Sequence, residues 1–161
     1  MSIQCFNELL SVVRQKGNWQ PPEKLLTIDP GETTGWAFFK YGELSTTGQI
    51  VIDKHNLADS IEPLMNDIQP TVVVLENYRV YPWKMKQHSW SNLFTPQLIG
   101  AIQYLCSQRK IPVYLQMANQ AKTFCTDDKL KTWGFWRRGE KHARDAIRHG
   151  CYWLLFNREW S

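Results

Sequence analysis

Three acids and two histidines stand where they could do chemistry. Asp29 closes the apolar run Leu25-Leu26-Thr27-Ile28, and Glu76 closes Thr71-Val72-Val73-Val74-Leu75. A carboxylate at the end of so apolar a segment is costly unless it is paired, solvated at a sheet edge or bound to a cation. Asp29, which precedes Pro30-Gly31, could equally serve a turn or cap. Near the C-terminus, His142, Asp145 and His149 recur at i, i+3 and i+7, so they project from one side of a helix. Alone they would suit a solvated polar stripe. With the two strand-end acids they make three carboxylates and one or two imidazoles, a hard donor set suited to Mg2+ or Mn2+ rather than zinc. No Ser-His-Asp or Cys-His arrangement offers a rival nucleophile.

The elements that must position these groups follow from periodicity. Ile3, Phe6, Leu9, Leu10 and Val13 fall at helical spacing before Gly17 and Pro21-Pro22, which sets residues 1–22 apart as an amphipathic arm ahead of a domain over 23–161. The arm could pack on its own domain or on a second copy. Strands are expected at Leu25–Ile28, Trp36–Phe39 and Leu44–Ile52, with turns at Asp29-Pro30-Gly31 and Tyr41-Gly42, giving an antiparallel meander. Asn56 can cap a helix that carries Leu57, Ile61, Leu64, Met65 and Ile68 and ends at Pro70. A buried strand over Thr71–Leu75 follows, then a helix with Phe94, Leu98, Ala101, Ile102 and Leu105, and a strand over Ile111–Leu115. Residues Asn119–Lys131 are expected to be helical, Trp133–Trp136 an aromatic loop, and Glu140–Phe156 the final helix, with Ala143, Ile147, Gly150, Cys151 and Leu154 on its sheet-facing side. The order βββαβαβ followed by helices describes an α/β protein with a mixed five-stranded sheet, the first three strands antiparallel, flanked by α-helices.

Length and composition narrow the class. The chain has 161 residues, 43% hydrophobic and 21% charged, enough for one domain with a packed core. No apolar run reaches the roughly 20 residues of a membrane span, and the N-terminal stretch is not expected to be a secretory signal. Cys5, Cys106, Cys125 and Cys151 form no CxxC motif, which points to reduced thiols in a cytoplasm-like compartment. The net charge of +4 hides an asymmetry: through Glu76 ten acids face five Lys/Arg, whereas beyond it five acids face fourteen. Such a division implies a basic face that attracts polyanions, or an ordinary solvated surface.

The segments LLTIDPGETTGWAFF, VVVLENYRVY and KHARDAIRHG, in that order and separation, resemble the RuvC-like Holliday junction resolvases of the ribonuclease H-like superfamily, and most of all the small versions carried by bacteriophages. The resemblance covers roughly Leu25 to Phe156. The arm ahead of the first strand departs from the family, whose members usually begin almost at that strand. The resemblance implies a ribonuclease H-like fold and a catalytic set of Asp29, Glu76, His142 and Asp145. It also implies two Mg2+ ions per site, with Mn2+ able to substitute, and no organic cofactor. Hydrolysis of a phosphodiester by two ions about 3.5–4 Å apart stabilises both the attacking and the leaving oxygen. In that scheme Asp29 bridges the ions, Glu76 and Asp145 hold one each, and His142 completes a shell or orients the attacking water. His149 is then second in line or simply packed.

The same resemblance makes branched DNA the partner, and the basic segments fit it. Asn77–Trp90 interleaves Tyr78, Tyr81, Trp83 and Trp90 with Arg79, Lys84, Lys86 and His88, so that Arg79, Trp83, Lys84 and Lys86 are candidate DNA contacts. A second stretch, KLKTWGFWRRGEK, offers Lys129, Lys131, Arg137, Arg138 and Lys141 for backbone contacts that position a duplex without reading its sequence. Paired cuts across a four-way junction call for a C2 homodimer. Its interface could use the stripe Phe94, Leu98, Ile102, Leu105, which would equally suit burial on the sheet. The expected activity is therefore a metal-dependent, structure-selective endodeoxyribonuclease, cytoplasmic, or in the bacterial host cytoplasm if phage-encoded. The alternatives are another ribonuclease H-like nuclease acting on RNA–DNA hybrids, forks or flaps, or a catalytically inactive DNA-binding relative. DPGETTG also resembles the phosphate-binding turn of actin-like and sugar-kinase ATPases, which need about twice this length.

Overall fold

The computed structural model describes residues 5–78 and 90–157. Helix α1 (Phe6–Gly17) precedes the meander β1 (Lys24–Asp29), β2 (Thr33–Lys40) and β3 (Glu43–Val51). Helix α2 (Leu57–Ile68), β4 (Val72–Asn77), α3 (Trp90–Gln108) and β5 (Val113–Met117) follow. The chain ends in α4 (Ala118–Phe124), α5 (Asp127–Thr132) and α6 (Lys141–Phe156). The five strands form one open sheet in the order β3-β2-β1-β4-β5, with β1 antiparallel to β2 and parallel to β4.

β1 is central, and its alternate side chains feed two cores. Leu25 joins Phe39, Val72, Val74, Ile147 and Leu154 beneath α6, whereas Leu26 and Ile28 join Val73, Leu75, Ile61, Met65, Leu98 and Ile102 beneath α2 and α3. A strand buried on both faces reads as a continuous apolar run, which is why Leu25–Ile28 and Val72–Leu75 show no alternation. Helix α1 packs on the first of these cores: Phe6 and Leu10 are buried, and the Phe6 ring lies 5.2 Å from Trp133 and 5.4 Å from Phe135.

Several sequence expectations shift. The α3 stripe Phe94, Leu98, Ile102, Leu105 is almost wholly buried in its own chain, so it is not available as a dimer interface. The single helix expected over Asn119–Lys131 is two, because the chain turns at Cys125-Thr126 and the Thr126 hydroxyl accepts from the Lys129 amide to start α5. β5 begins two residues later than Ile111, because Ile111 still bonds back to the Cys106 carbonyl at the end of α3. Asn56 stands at the start of α2, but its amide donates to Asp53 rather than capping the helix. Among the described residues no helix is long and apolar enough to cross a membrane.

Candidate active site

Strand register brings the first two acids together. β1 and β4 run parallel with Ile28 opposite Leu75, so Asp29 and Glu76 stand side by side at the carboxyl ends of neighbouring strands. α6 lies across this end of the sheet. Its start abuts β2 at Gly35, where a Cβ would stand 1.9 Å from the His142 carbonyl oxygen. Only a glycine permits that approach of main chain to main chain. Glu140 provides no side-chain cap for α6. Gln49 of β3 does the work instead: its Oε1 accepts from the amides of His142 (3.0 Å) and Ala143 (3.4 Å), two of the donors a helix start leaves open. Deeper in, the Thr27 hydroxyl donates to the Ala146 carbonyl at 2.6 Å.

With α6 so fixed, His142 Nδ1 lies 3.3 Å from Asp29 Oδ2. Asp145 is buried; its Oδ1 accepts from Arg148 at 2.8 Å, and its Oδ2 faces Lys122 Nζ of α4 at 3.6 Å. His149, fully buried, lies 2.8 Å from Glu76 through Nε2 and 2.9 Å from the Gln116 amide nitrogen through Nδ1. The same amide donates to the His149 carbonyl at 3.0 Å, so it is the NH2 group that faces the ring. Nδ1 therefore accepts, and the ring proton on Nε2 is donated to Glu76.

The electrostatics show what this cluster lacks. Burial, and then the negative charges of Glu76 and Asp145, push the Asp29 carboxyl from 3.8 up to about 8, and it hydrogen-bonds Glu76. Burial also acts to raise Glu76, but the hydrogen bond from His149, with the positive charge of Lys122, outweighs it and holds that carboxyl below its ordinary value. The Asp29 carboxyl is thus driven toward its protonated form first by burial and then by the neighbouring negative charges. Among the described residues no group of three or more His, Cys, Asp or Glu is drawn together as a metal centre. Arg148, Lys122 and His149 engage the same carboxylates instead. A buried excess of hard oxygen donors that one carboxyl must relieve by holding a proton is chemically suited to a divalent cation. Burial also pushes the Cys125 thiol up to about 12, so this thiol beside Arg148 does not compete as a nucleophile. A cleft of about 260 Å3, lined by Pro30, Glu76, Asn77, Tyr78, Thr95 and Met117 among others, opens beside Glu76.

No protein-family model matches the sequence, and no curated protein matches it significantly. Solved structures are similar in shape. Thermus thermophilus RuvC, in complex with a Holliday junction substrate, superposes with a TM-score of 0.66 at 14% identity, covering 84% of this chain and 94% of its own. The chain has the RuvC fold. A second T. thermophilus RuvC structure gives a TM-score of 0.61 at 14% identity over 84% of this chain and 95% of that one. The yeast mitochondrial Holliday junction resolvase gives 0.56 at 14% identity over 92% and 84%.

Within the RuvC fold, Asp29, Glu76, His142 and Asp145 gather at one end of the sheet. Arg79, Trp83, Lys84 and Lys86 lie outside the described residues. Lys129 and Lys131 sit on α5, where each ammonium also lies over a ring: Phe124 at 3.7 Å and Trp136 at 4.6 Å. Arg137 is half-buried, while Arg138 and Lys141 are exposed before and at the start of α6. Trp133 and its aromatic neighbours pack against the core; Lys131, Arg138 and Lys141 are exposed, whereas Lys129 is half-buried and donates to the Phe124 carbonyl at 2.9 Å. Sequence reasoning did not place Lys122, Arg148, Gln116 or Gln49 at the site. Lys122, Gln116 and Gln49 act through partners far away in the chain, which local periodicity does not mark, whereas Arg148 meets Asp145 at i, i+3 on the same helix.

Proposed function

We propose that this protein is a metal-dependent, structure-selective endodeoxyribonuclease that cuts branched DNA, four-way junctions in particular. The observation that carries the reading is the convergence of Asp29, Glu76 and Asp145, where burial and mutual charge push the Asp29 carboxyl up. Asp29, Glu76, Asp145 and His142 would hold the cations, of which Mg2+ fits the donor set and Mn2+ would substitute. When bound, two such ions lower the pKa of water and stabilise charge on both oxygens of an in-line displacement.

The chain's own groups set the geometry. Asp29 feels the charges of both Glu76 and Asp145 of α6, which suits it to face both cation positions. His149 and Gln116 hold Glu76 at the sheet end from behind. His142, with a side chain 43% exposed, borders the solvent side, where it can complete a shell or orient a water. Lys129, Lys131, Arg137, Arg138 and Lys141 would hold DNA backbone and bring a strand to this end of the sheet. The RuvC fold supports the reading, since the T. thermophilus protein of that fold was solved on a junction. Paired cutting would need a homodimer, and its surface would have to lie elsewhere than the buried α3 stripe.

The test is a panel of labelled junction, fork, flap, duplex and RNA–DNA hybrid substrates with Mg2+, Mn2+ or chelator. Symmetric metal-dependent nicks across the junction are expected, with Asp29→Asn and Asp145→Asn binding junctions but not cutting them. Preferential cutting of hybrids would move the protein to another ribonuclease H-like activity. Junction binding without cutting under any metal would make it an inactive relative.

A further inference from the structure

We infer that Arg148 is a positioning residue that joins the Asp145 carboxylate to the turn between α4 and α5, and that Asp127 is the counter-charge which keeps Asp145 available to a cation. This rests on the metal-nuclease reading of the same site. Arg148 is buried, and its three guanidinium nitrogens are all engaged. Nη1 donates to Asp145 Oδ1 at 2.8 Å, Nε donates to the Cys125 carbonyl at 2.9 Å, and Nη2 pairs with Asp127 Oδ1. The Cys125 thiol returns a bond of 3.6 Å to the Arg148 carbonyl. The planar fork therefore spans three points at once, which a lysine cannot do.

The charge count explains Asp127. A single guanidinium placed against Asp145 alone would neutralise a carboxylate needed for cation binding. Lys122 adds a second cation 3.6 Å from Asp145 Oδ2, so without Asp127 the group would carry one net positive charge, whereas with Asp127 it is neutral. Asp127 sits in the first turn of α5 with its side chain 62% exposed, and Asp128 follows it with no bond to Arg148. The connection also has a direction. Lys129 and Lys131, proposed to hold DNA backbone, lie on α5, and Lys122, which faces Asp145 Oδ2, lies on α4. Arg148 grips the turn where those two helices meet, so the DNA-holding segment and the Asp145 carboxylate form one hydrogen-bonded unit.

Three full-length variants test this: Asp127→Asn, Asp128→Asn as a control that removes the same charge from the same helix turn, and Arg148→Lys. Calcium affinity by calorimetry without DNA, melting temperature, junction binding in Ca2+, and the rate and Mg2+ requirement of cutting are measured for each. Asp127→Asn is expected to bind Ca2+ about tenfold more weakly and to need correspondingly more Mg2+, with melting temperature and junction binding unchanged. Asp128→Asn should match the wild type. Arg148→Lys should cut more slowly at saturating Mg2+, because it keeps the charge but loses the fork. Equal calcium affinities for the Asp127 and Asp128 variants would overturn the inference, as would a wild-type rate for Arg148→Lys. If Arg148→Lys does not fold, the calcium comparison decides alone. A wild-type chain that binds no Ca2+ would remove the metal reading itself, whereas binding that is insensitive to Asp127 would remove only this inference.

Discussion

Asp29 should make cation binding release a proton, and the effect is large enough to measure without DNA. With its carboxyl pushed to about 8 by burial and by Glu76 and Asp145, about nine-tenths of the sites carry the proton at pH 7. A divalent ion that takes Asp29 as a ligand must displace it. About one proton should leave at pH 6 and about a tenth of a proton at pH 9. Apparent affinity should then rise about tenfold per unit at the acid end and flatten above pH 8, a change on the order of a hundredfold from pH 6 to pH 9. Calcium titrations in buffers of different ionisation enthalpy read both quantities. Stability without cation should move the other way. The folded value lies above the unfolded one of 3.8, so between about pH 4 and pH 8 the folded chain holds a proton that the unfolded chain has lost. Stability must fall as pH rises through that window and level off above it. Asp29→Asn should flatten both profiles. A calcium affinity independent of pH, with no proton released at pH 7, would refute the assignment of Asp29 as the strained ligand.

Three further outcomes are expected. Gly35→Ala should lower stability by about 1–3 kcal/mol and slow cutting, since the new methyl meets the main chain of His142 and has no flexible atom to push aside; an unchanged melting temperature would argue against the close approach. His149→Ala should cost about 2–4 kcal/mol by opening a buried space and leaving Glu76 without its donor, as read by denaturant titration. Alanine at Lys129, Lys131, Arg138 or Lys141 should each reduce the slope of log affinity against log salt by up to about 0.9, and junction binding at several salt concentrations would show whether that residue touches a phosphate.

Much of the scaffold was legible from local signals. Pro30-Gly31 and Tyr41-Gly42 mark the meander turns, and the unbroken apolar runs ending at Asp29 and Glu76 identify strands covered on both sides, with their acids at the rim. The spacing of His142 and Asp145 put both on the side of α6 that meets Asp29. What stayed hidden was set by distance along the chain. Arg148 in a helix of otherwise mixed polarity reads as a solvated cation, and its partners outside the helix, the Cys125 carbonyl and Asp127, come from the turn between α4 and α5. Lys122 contributed to a charge count until α4 carried it to Asp145. The interruption at Cys125-Thr126 carries little local signal because neither residue is a strong helix breaker; in the fold the Thr126 hydroxyl caps α5 and Arg148 holds the Cys125 carbonyl.

The dependence of α6 on Gln49 has a consequence for how the protein would fail on heating. Border strands are ordinarily where a sheet begins to fray, and their opening is usually harmless. Here the outermost strand carries the one oxygen that satisfies the leading amides of the helix bearing His142 and Asp145. Loosening of that margin would let the helix start unwind while both cores remained intact. Catalytic competence would then disappear some degrees below the temperature at which the domain melts.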